Sequence, residues 1–273
     1  MKRYRILNMS FDTRATLLNT EIGDDWEEDT KELWHENKKS ITEGLFHQYG
    51  GYNFKDKLAN FKELGPLPFS VISYHNKFFN QIRDSYVMGS FYPALTAACS
   101  LGERILNHLI LVLREDYKST PQYKEVYSKK SFDNWEKVIG ILESWNVLLP
   151  DVVKYFTELK ELRNYSIHFN PETEKLDKQL AFKAINLLSE IISNQFGIGN
   201  QPWFIPSMPG DFYIKKEAED WPFVKQFIIP SCALVGYLHR LEHDGNWFKV
   251  VDDNQYENKE ITDDEYRDLF VSR

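Results

Sequence analysis

Residues 91–113 read FYPALTAACSLGERILNHLILVL. Phe91, Leu95, Ala98, Leu101, Ile105, Leu109 and Val112 recur at three-and-four spacing, which lays a continuous apolar stripe along one helix face. The stretch predicts a long core helix, with Pro93 in its first turn or at a kink, because a proline ring fits only where no backbone N–H is needed. Downstream, a second helix is predicted from about Phe132 to Trp145, with Ser131 or Asp133 able to cap it and Trp135, Val138, Ile139, Leu142 and Trp145 turned inward. Leu149-Pro150-Asp151 breaks the chain. A third helix follows with Val152, Val153, Phe156, Leu159 and Leu162 on its core side, and should stop at Asn170-Pro171, since proline restricts the residue before it. The fourth uses Leu176, Leu180, Ala184, Leu187, Leu188 and Ile191 and ends near Gly197. Four amphipathic helices with short connections predict an antiparallel bundle over residues 71–199.

On either side the pattern changes, so the chain divides into an N-terminal mixed extension (1–70), the helical bundle (71–199) and a small β-rich, acidic C-terminal appendage (200–273). The fold class is mainly α. In the first region 24–47 predicts an exposed helix ending near Gly50-Gly51, and Leu64-Gly65-Pro66-Leu67-Pro68 reads as a connector. In the last, Asp211–Lys215 and Phe223–Ile229 are short β-favouring runs. Leu234–Leu241 and Trp247–Val251 flank His243-Asp244-Gly245-Asn246, which holds the Asp-Gly pair of a hairpin turn. Residues 261–270 predict a terminal helix capped by Thr262.

The 273 residues are 42% hydrophobic and 15% aromatic, a composition that excludes wholesale disorder. Two cysteines, Cys99 and Cys232, exclude a disulfide scaffold and a four-cysteine zinc module, and fit a reducing, cytoplasmic setting. The basic start, Lys2, Arg3 and Arg5, is followed by no apolar leader segment. The longest apolar stretch, 105–113, is interrupted by Asn107 and His108 and is short of the roughly 20 residues of a bilayer span, so no membrane is expected. Net charge is −8, distributed as −2, 0 and −6 over the three regions. Such a chain does not coat nucleic acid by bulk positive charge, and an anionic substrate needs a local cationic cluster.

The predicted third helix closes with Glu161-Leu162-Arg163-Asn164-Tyr165-Ser166-Ile167-His168-Phe169-Asn170. At 100° per residue Asn164 and His168 lie ~40° apart around the axis and share a face, with Arg163 alongside. An imidazole moves protons near neutral pH, a guanidinium grips two phosphate oxygens and a carboxamide orients either, a set suited to phosphodiester cleavage. Glu103, on the first core helix, is either an accessory group in the same cleft or a structural partner of Arg104 or Arg163. His108 reads as a core or dimer-contact histidine. His239, His243 and Asp244 lack the further ligands of a metal site, and no glycine-rich phosphate loop is present. Trp203, Phe204, Phe212, Tyr213, Trp221 and Phe223 either stack on bases or, as the better reading, pack the core of the small sheet.

The run 131–139, then Trp145-Asn146-Val147-Leu148-Leu149-Pro150, then the helix leading into Arg163-Asn164 and His168 resembles the HEPN superfamily of small helical ribonucleases and their relatives. So do Tyr92-Pro93-Ala94-Leu95 and Leu101-Gly102-Glu103-Arg104, and the resemblance spans about residues 80–197. It implies a HEPN-like four-helix bundle that dimerises so that the Arg-x4-His motifs of two chains face one cleft. Arg163 is then the motif arginine, Asn164 its polar neighbour and His168 the motif histidine. A subfamily controlled by adenylylation carries tyrosine where this chain has Asn170, so that control is not implied.

The resulting expectation is a HEPN-type endoribonuclease in a defence, toxin or stress-response setting. Arg163, Asn164 and His168 would be catalytic and Glu103 accessory, with no cofactor or metal. Its partners would be an RNA substrate, a second copy of the chain, and an inhibitor or antitoxin protein. The alternative is a non-catalytic dimeric protein that binds a partner, a nucleotide or RNA.

Overall fold

The apolar stretch of residues 91–113 becomes the longest axis of the core because neighbours cover it from several sides. The computed structural model describes residues 1–71, 73–167, 170–245 and 247–273; the side chains of Ser73, Tyr74, Ile167 and Trp247 lie outside that description. The chain opens with β1 (Lys2–Ile6), β2 (Ser10–Asp12), α1 (Arg14–Asn19), α2 (Glu28–Tyr49), α3 (Phe54–Glu63), β3 (Leu67–Ser70) and α4 (Ser73–Val87). Next come α5 (Phe91–Leu113), the short α6 (Tyr123–Val126), α7 (Trp135–Ser144), α8 (Pro150–Ile167) and α9 (Pro171–Phe196). The end of the chain holds β4 (Cys232–Gly236), β5 (Arg240–Asp244), β6 (Trp247–Val251) and α10 (Asp263–Val271). The fold is mainly helical, with small two-stranded antiparallel sheets.

Helix α5 packs against α4, α7, α8 and α9. This explains why Cys99, Gly102, Leu106 and Ile110 are buried beside the predicted stripe. By length and composition the segment Phe91–Tyr117 could cross a membrane. Asn107 and His108 interrupt its apolar surface, and both face protein partners. The Asn107 carboxamide accepts from the Phe132 backbone N–H at 2.7 Å and donates to the Phe132 carbonyl at 2.8 Å. This clamp holds 132–134 out of helix, so α7 begins at Trp135, and the cap is Asn134, accepting from the Lys137 N–H at 3.0 Å, in place of Ser131 or Asp133.

Helices α5, α7 and α8 converge at Gly102. A Cβ there would stand 2.7 Å from Leu159 Cδ2 and 2.8 Å from Trp135 Cη2, so only hydrogen fits without movement. Gly102→Ala is expected to lower unfolding free energy by about 1–3 kcal/mol through overpacking. Urea denaturation measures this, and an unchanged midpoint would show that the three helices separate freely here.

Helix α8 starts at Pro150, where the missing N–H costs nothing. It ends by Ile167, and Asn170 caps the next helix by accepting from the Glu172 N–H at 3.0 Å, with Pro171 at the first helical position. Helix α4, α3 and β1 have no counterpart in the sequence reading. Strand β1 pairs with β4, from Lys2 opposite Gly236 to Ile6 opposite Cys232, so the basic start of the chain is a strand joined to its far end. Arg3 is fully buried, donating to Asp263 at 2.7 Å and to the Ile261 carbonyl at 2.5 Å.

Strands β5 and β6 form a hairpin at the expected Asp-Gly turn, with Gly245 at φ +62°, but the predicted strand Leu234–Leu241 is a correction: β4 ends at Gly236 because it pairs with β1, and β5 starts afresh at Arg240. Asn246 lies outside the described residues. The Phe223–Ile229 run is a correction: Val224–Ile228 is one wide helical turn, because Phe223 and Phe227 must both reach Phe196. Residues 211–215 make only single bridges, Tyr213 to Arg5 and Ile214 to Phe204. Thr262 caps α10 in a reciprocal capping box with Glu265.

Candidate functional site

Arg163 lies one turn before the end of α8, beside Glu103 of α5 and Trp135 at the start of α7. Its Nη2 is 3.2 Å from Glu103 Oε2, and the same carboxylate oxygen accepts the Trp135 indole N–H at 2.9 Å. The guanidinium carbon stands 6.0 Å from the Trp135 ring centroid. Three helices therefore fix one arginine, and the side chain keeps 29% of its surface open. Among the described residues Nε and Nη1 have no hydrogen-bond partner, which leaves one edge of the fork for an anion.

Apolar spacing marks Trp135 as a core residue only. Its position against Glu103 depends on how α7 crosses α5, and no spacing in the chain signals it. Glu103 meets Arg163 and not Arg104, whose guanidinium carbon lies 5.0 Å from the Phe78 ring centroid instead. Asn164 is exposed at the same helix end, as is Tyr165. His168 lies outside the described residues, so its shared face with Asn164 stays a property of the sequence spacing.

Beneath Arg163 the interior is inert. Cys99 is buried, and desolvation pushes its thiol up to about 12 against the opposing pull of Arg163 and a hydrogen bond with Ser166. It is a protonated packing group and no nucleophile at neutral pH.

Three other histidines, His75, His108 and His239, pack into the interior. His108 Nδ1 is 3.3 Å from His75 Nε2, and its ring meets Phe227 edge-on at 5.0 Å between centroids. Burial holds His75 down at about 4 and lowers His108 as well. His239 is 2% exposed. Its Nδ1–H donates to the Gly236 carbonyl at 2.7 Å, which leaves Nε2 to accept from Arg5 Nη1 at 2.6 Å. Burial lowers its pKa, and a proton on Nε2 would face Arg5 directly. His243 is exposed on β5 with its ring against Phe248, and Asp244 ends that strand. Among the described residues no group of three or more His, Cys, Asp or Glu side chains is arranged to hold a metal.

No protein-family model, curated protein or solved structure matches the chain. Of the aromatics, Trp203, Phe204, Tyr213 and Phe223 are buried in the interior, Phe212 is half-buried, and Trp221 is exposed.

Proposed function

We propose that the chain is a HEPN-type, metal-independent endoribonuclease built on a HEPN-like helical bundle, acting as a homodimer in the cytoplasm. The observation that carries this reading is the Arg163 guanidinium, held on one side by Glu103 and Trp135 and open on the other. A fixed, half-open fork is what binding of a developing dianionic phosphorane requires, because its orientation is set before the charge appears.

In the proposed reaction His168 of one copy takes the proton from a ribose 2′-hydroxyl, and the 2′-oxygen attacks phosphorus. The bond from phosphorus to the 5′-oxygen breaks, and that oxygen receives a proton from His168 of the second copy. Arg163 neutralises the non-bridging oxygens throughout, and Asn164 orients the phosphate or the imidazole. A defence, toxin or stress-response role, with an inhibitor or antitoxin partner, belongs to the same reading.

Cleavage is expected to persist in excess EDTA and to leave 2′,3′-cyclic phosphate and 5′-hydroxyl ends, since the nucleophile is the substrate's own hydroxyl. RNA with 2′-O-methyl groups at the cut site should resist. The assay is total RNA incubated with purified protein, with end-group analysis and with light scattering on the same sample. Activity lost to the chelator and restored by Mg²⁺, 5′-phosphate ends, or an active particle of one chain would each remove this mechanism. RNA binding without cleavage would favour the non-catalytic alternative, in which Glu103 serves to neutralise Arg163.

A further inference from the structure

Away from Arg163, a cavity of about 450 Å³ opens between the β2–β3 pair, the end of α2, α3 and α4. Its size falls in the range of about 300–1,000 Å³ common to small-molecule sites. Phe11, Phe61, Leu67 and Val87 supply apolar walls, and four charged side chains, Asp12, Arg14, Arg83 and Asp84, line the same space. Two acids balance two arginines. A ligand carrying charge of one sign only would meet like charge on this lining, and juxtaposed like charges reject a ligand.

The four charges are not equally free. Asp12 and Arg14 close on each other: Arg14 Nε lies 3.1 Å from both Asp12 carboxylate oxygens and Nη2 lies 2.8 Å from Oδ2, while Nη1 donates to Gln48 at 3.0 Å. Arg83 has no such counter-ion. It is 7% exposed, and its guanidinium donates only to carbonyls at the end of α3, from Nη1 to Leu64 at 3.5 Å and from Nη2 to Gly65 at 2.5 Å. Among the described residues its Nε has no hydrogen-bond partner and no carboxylate comes within 4 Å; Asp12 and Asp84 act on it only from farther off. Burial lowers its pKa, because a cation has left water with little given in return. Asp84, the next residue of α4, accepts the Tyr49 hydroxyl on Oδ1 at 2.7 Å, and among the described residues Oδ2 has no partner and no cation lies within 4 Å. Burial and the bond to Asp84 push the Tyr49 pKa up, so the phenol stays a donor. One guanidinium and one carboxylate thus line a single cavity without pairing with each other, and a ligand bearing both charges complements them.

We propose that this cavity binds a free α-amino acid with an apolar side chain, its carboxylate on the Nε edge of Arg83, its ammonium on Oδ2 of Asp84 and its side chain against the apolar walls. An α-amino acid carries its two charges on one carbon, which suits partners borne by adjacent residues of one helix. The site shares no residue with Arg163 and does not depend on the cleavage reading.

Isothermal titration of the full chain with L-leucine and L-phenylalanine tests this, beside leucinamide, which lacks the carboxylate, and 4-methylpentanoate, which lacks the ammonium. Saturable binding of at least one amino acid is expected, with leucinamide and 4-methylpentanoate each at least tenfold weaker than L-leucine, since each leaves one charge of the lining unanswered. Asp84→Asn keeps the shape and still accepts from Tyr49. It should weaken amino-acid binding at least tenfold and leave 4-methylpentanoate no weaker, because only the ammonium contact is lost. Thermal melts of the variant report its folding, and the analogue comparison on the wild-type chain stands without it. No saturable heat with either amino acid up to millimolar concentrations would mean a cavity filled by water and would overturn the proposal. So would leucinamide or 4-methylpentanoate binding as tightly as L-leucine, or wild-type affinity in folded Asp84→Asn.

Discussion

Arg163→Ala is expected to lower RNA cleavage by about two to three orders of magnitude, the usual cost of removing one oriented donor from a developing oxyanion. The structure indicates that the protein will survive the change. The side chain is 29% open, and the carboxylate it leaves behind is still held by the Trp135 indole at 2.9 Å, so no buried charge is abandoned. Stability should fall by no more than about 1 kcal/mol, the ordinary value of a partly exposed ion pair. Single-turnover cleavage assays set beside thermal melts separate the two effects. His168→Ala should cost as much, and the double variant little more than either alone, because residues acting in one step are not additive. Full activity in Arg163→Ala would end the proposed clamping role. A collapse in melting temperature would instead make Arg163 a structural tie between α5 and α8.

Mild acid is expected to weaken the fold before the carboxylates titrate. His75, His108 and His239 all have pKa values lowered by burial, so each stays neutral in the folded chain. In the unfolded chain they bind protons near pH 6.5. Below that value the unfolded state holds more protons, and stability falls as pH falls. His75, held at about 4, would alone remove about 2 kcal/mol between pH 7 and pH 5, by the linkage of its folded and unfolded values. His239 acts in the same direction, since burial and the charges of Arg5 and Arg273 disfavour a proton on its Nε2 more than the nearby Asp211 favours it. Urea titrations at pH 7 and pH 5 measure the sum, and His75→Phe should flatten the dependence. Equal stability at both pH values would mean that these imidazoles are already solvated in the folded protein.

Much of the helical interior was legible because it is written in local periodicity. The stripe from Phe91 to Val112, the capping box at Thr262 and the Asp244-Gly245 turn each depend on residues a few positions apart, and each forms the expected element. Where packing competes with local preference, the reading failed. Phe223–Ile229 has strand-like composition, but two aromatic rings must meet Phe196, and only a helical turn brings both to one side. The start of α7 moved because Asn107, far away in sequence, holds the Phe132 backbone.

The sequence by itself placed Arg163 and Asn164 near the end of one helix and Glu103 on the central helix, since turn geometry and apolar spacing are carried along the chain, while His168 lies outside the described residues. Tertiary structure alone decided that Glu103 meets Arg163 across two helices, that Trp135 pins the carboxylate, and that Arg3 and Arg5 are buried where the first strand joins the last quarter of the chain. The reason is physical. Helix and turn propensities act over a few residues, whereas ion pairs and indole contacts between elements form only once the apolar faces of those elements have chosen their neighbours.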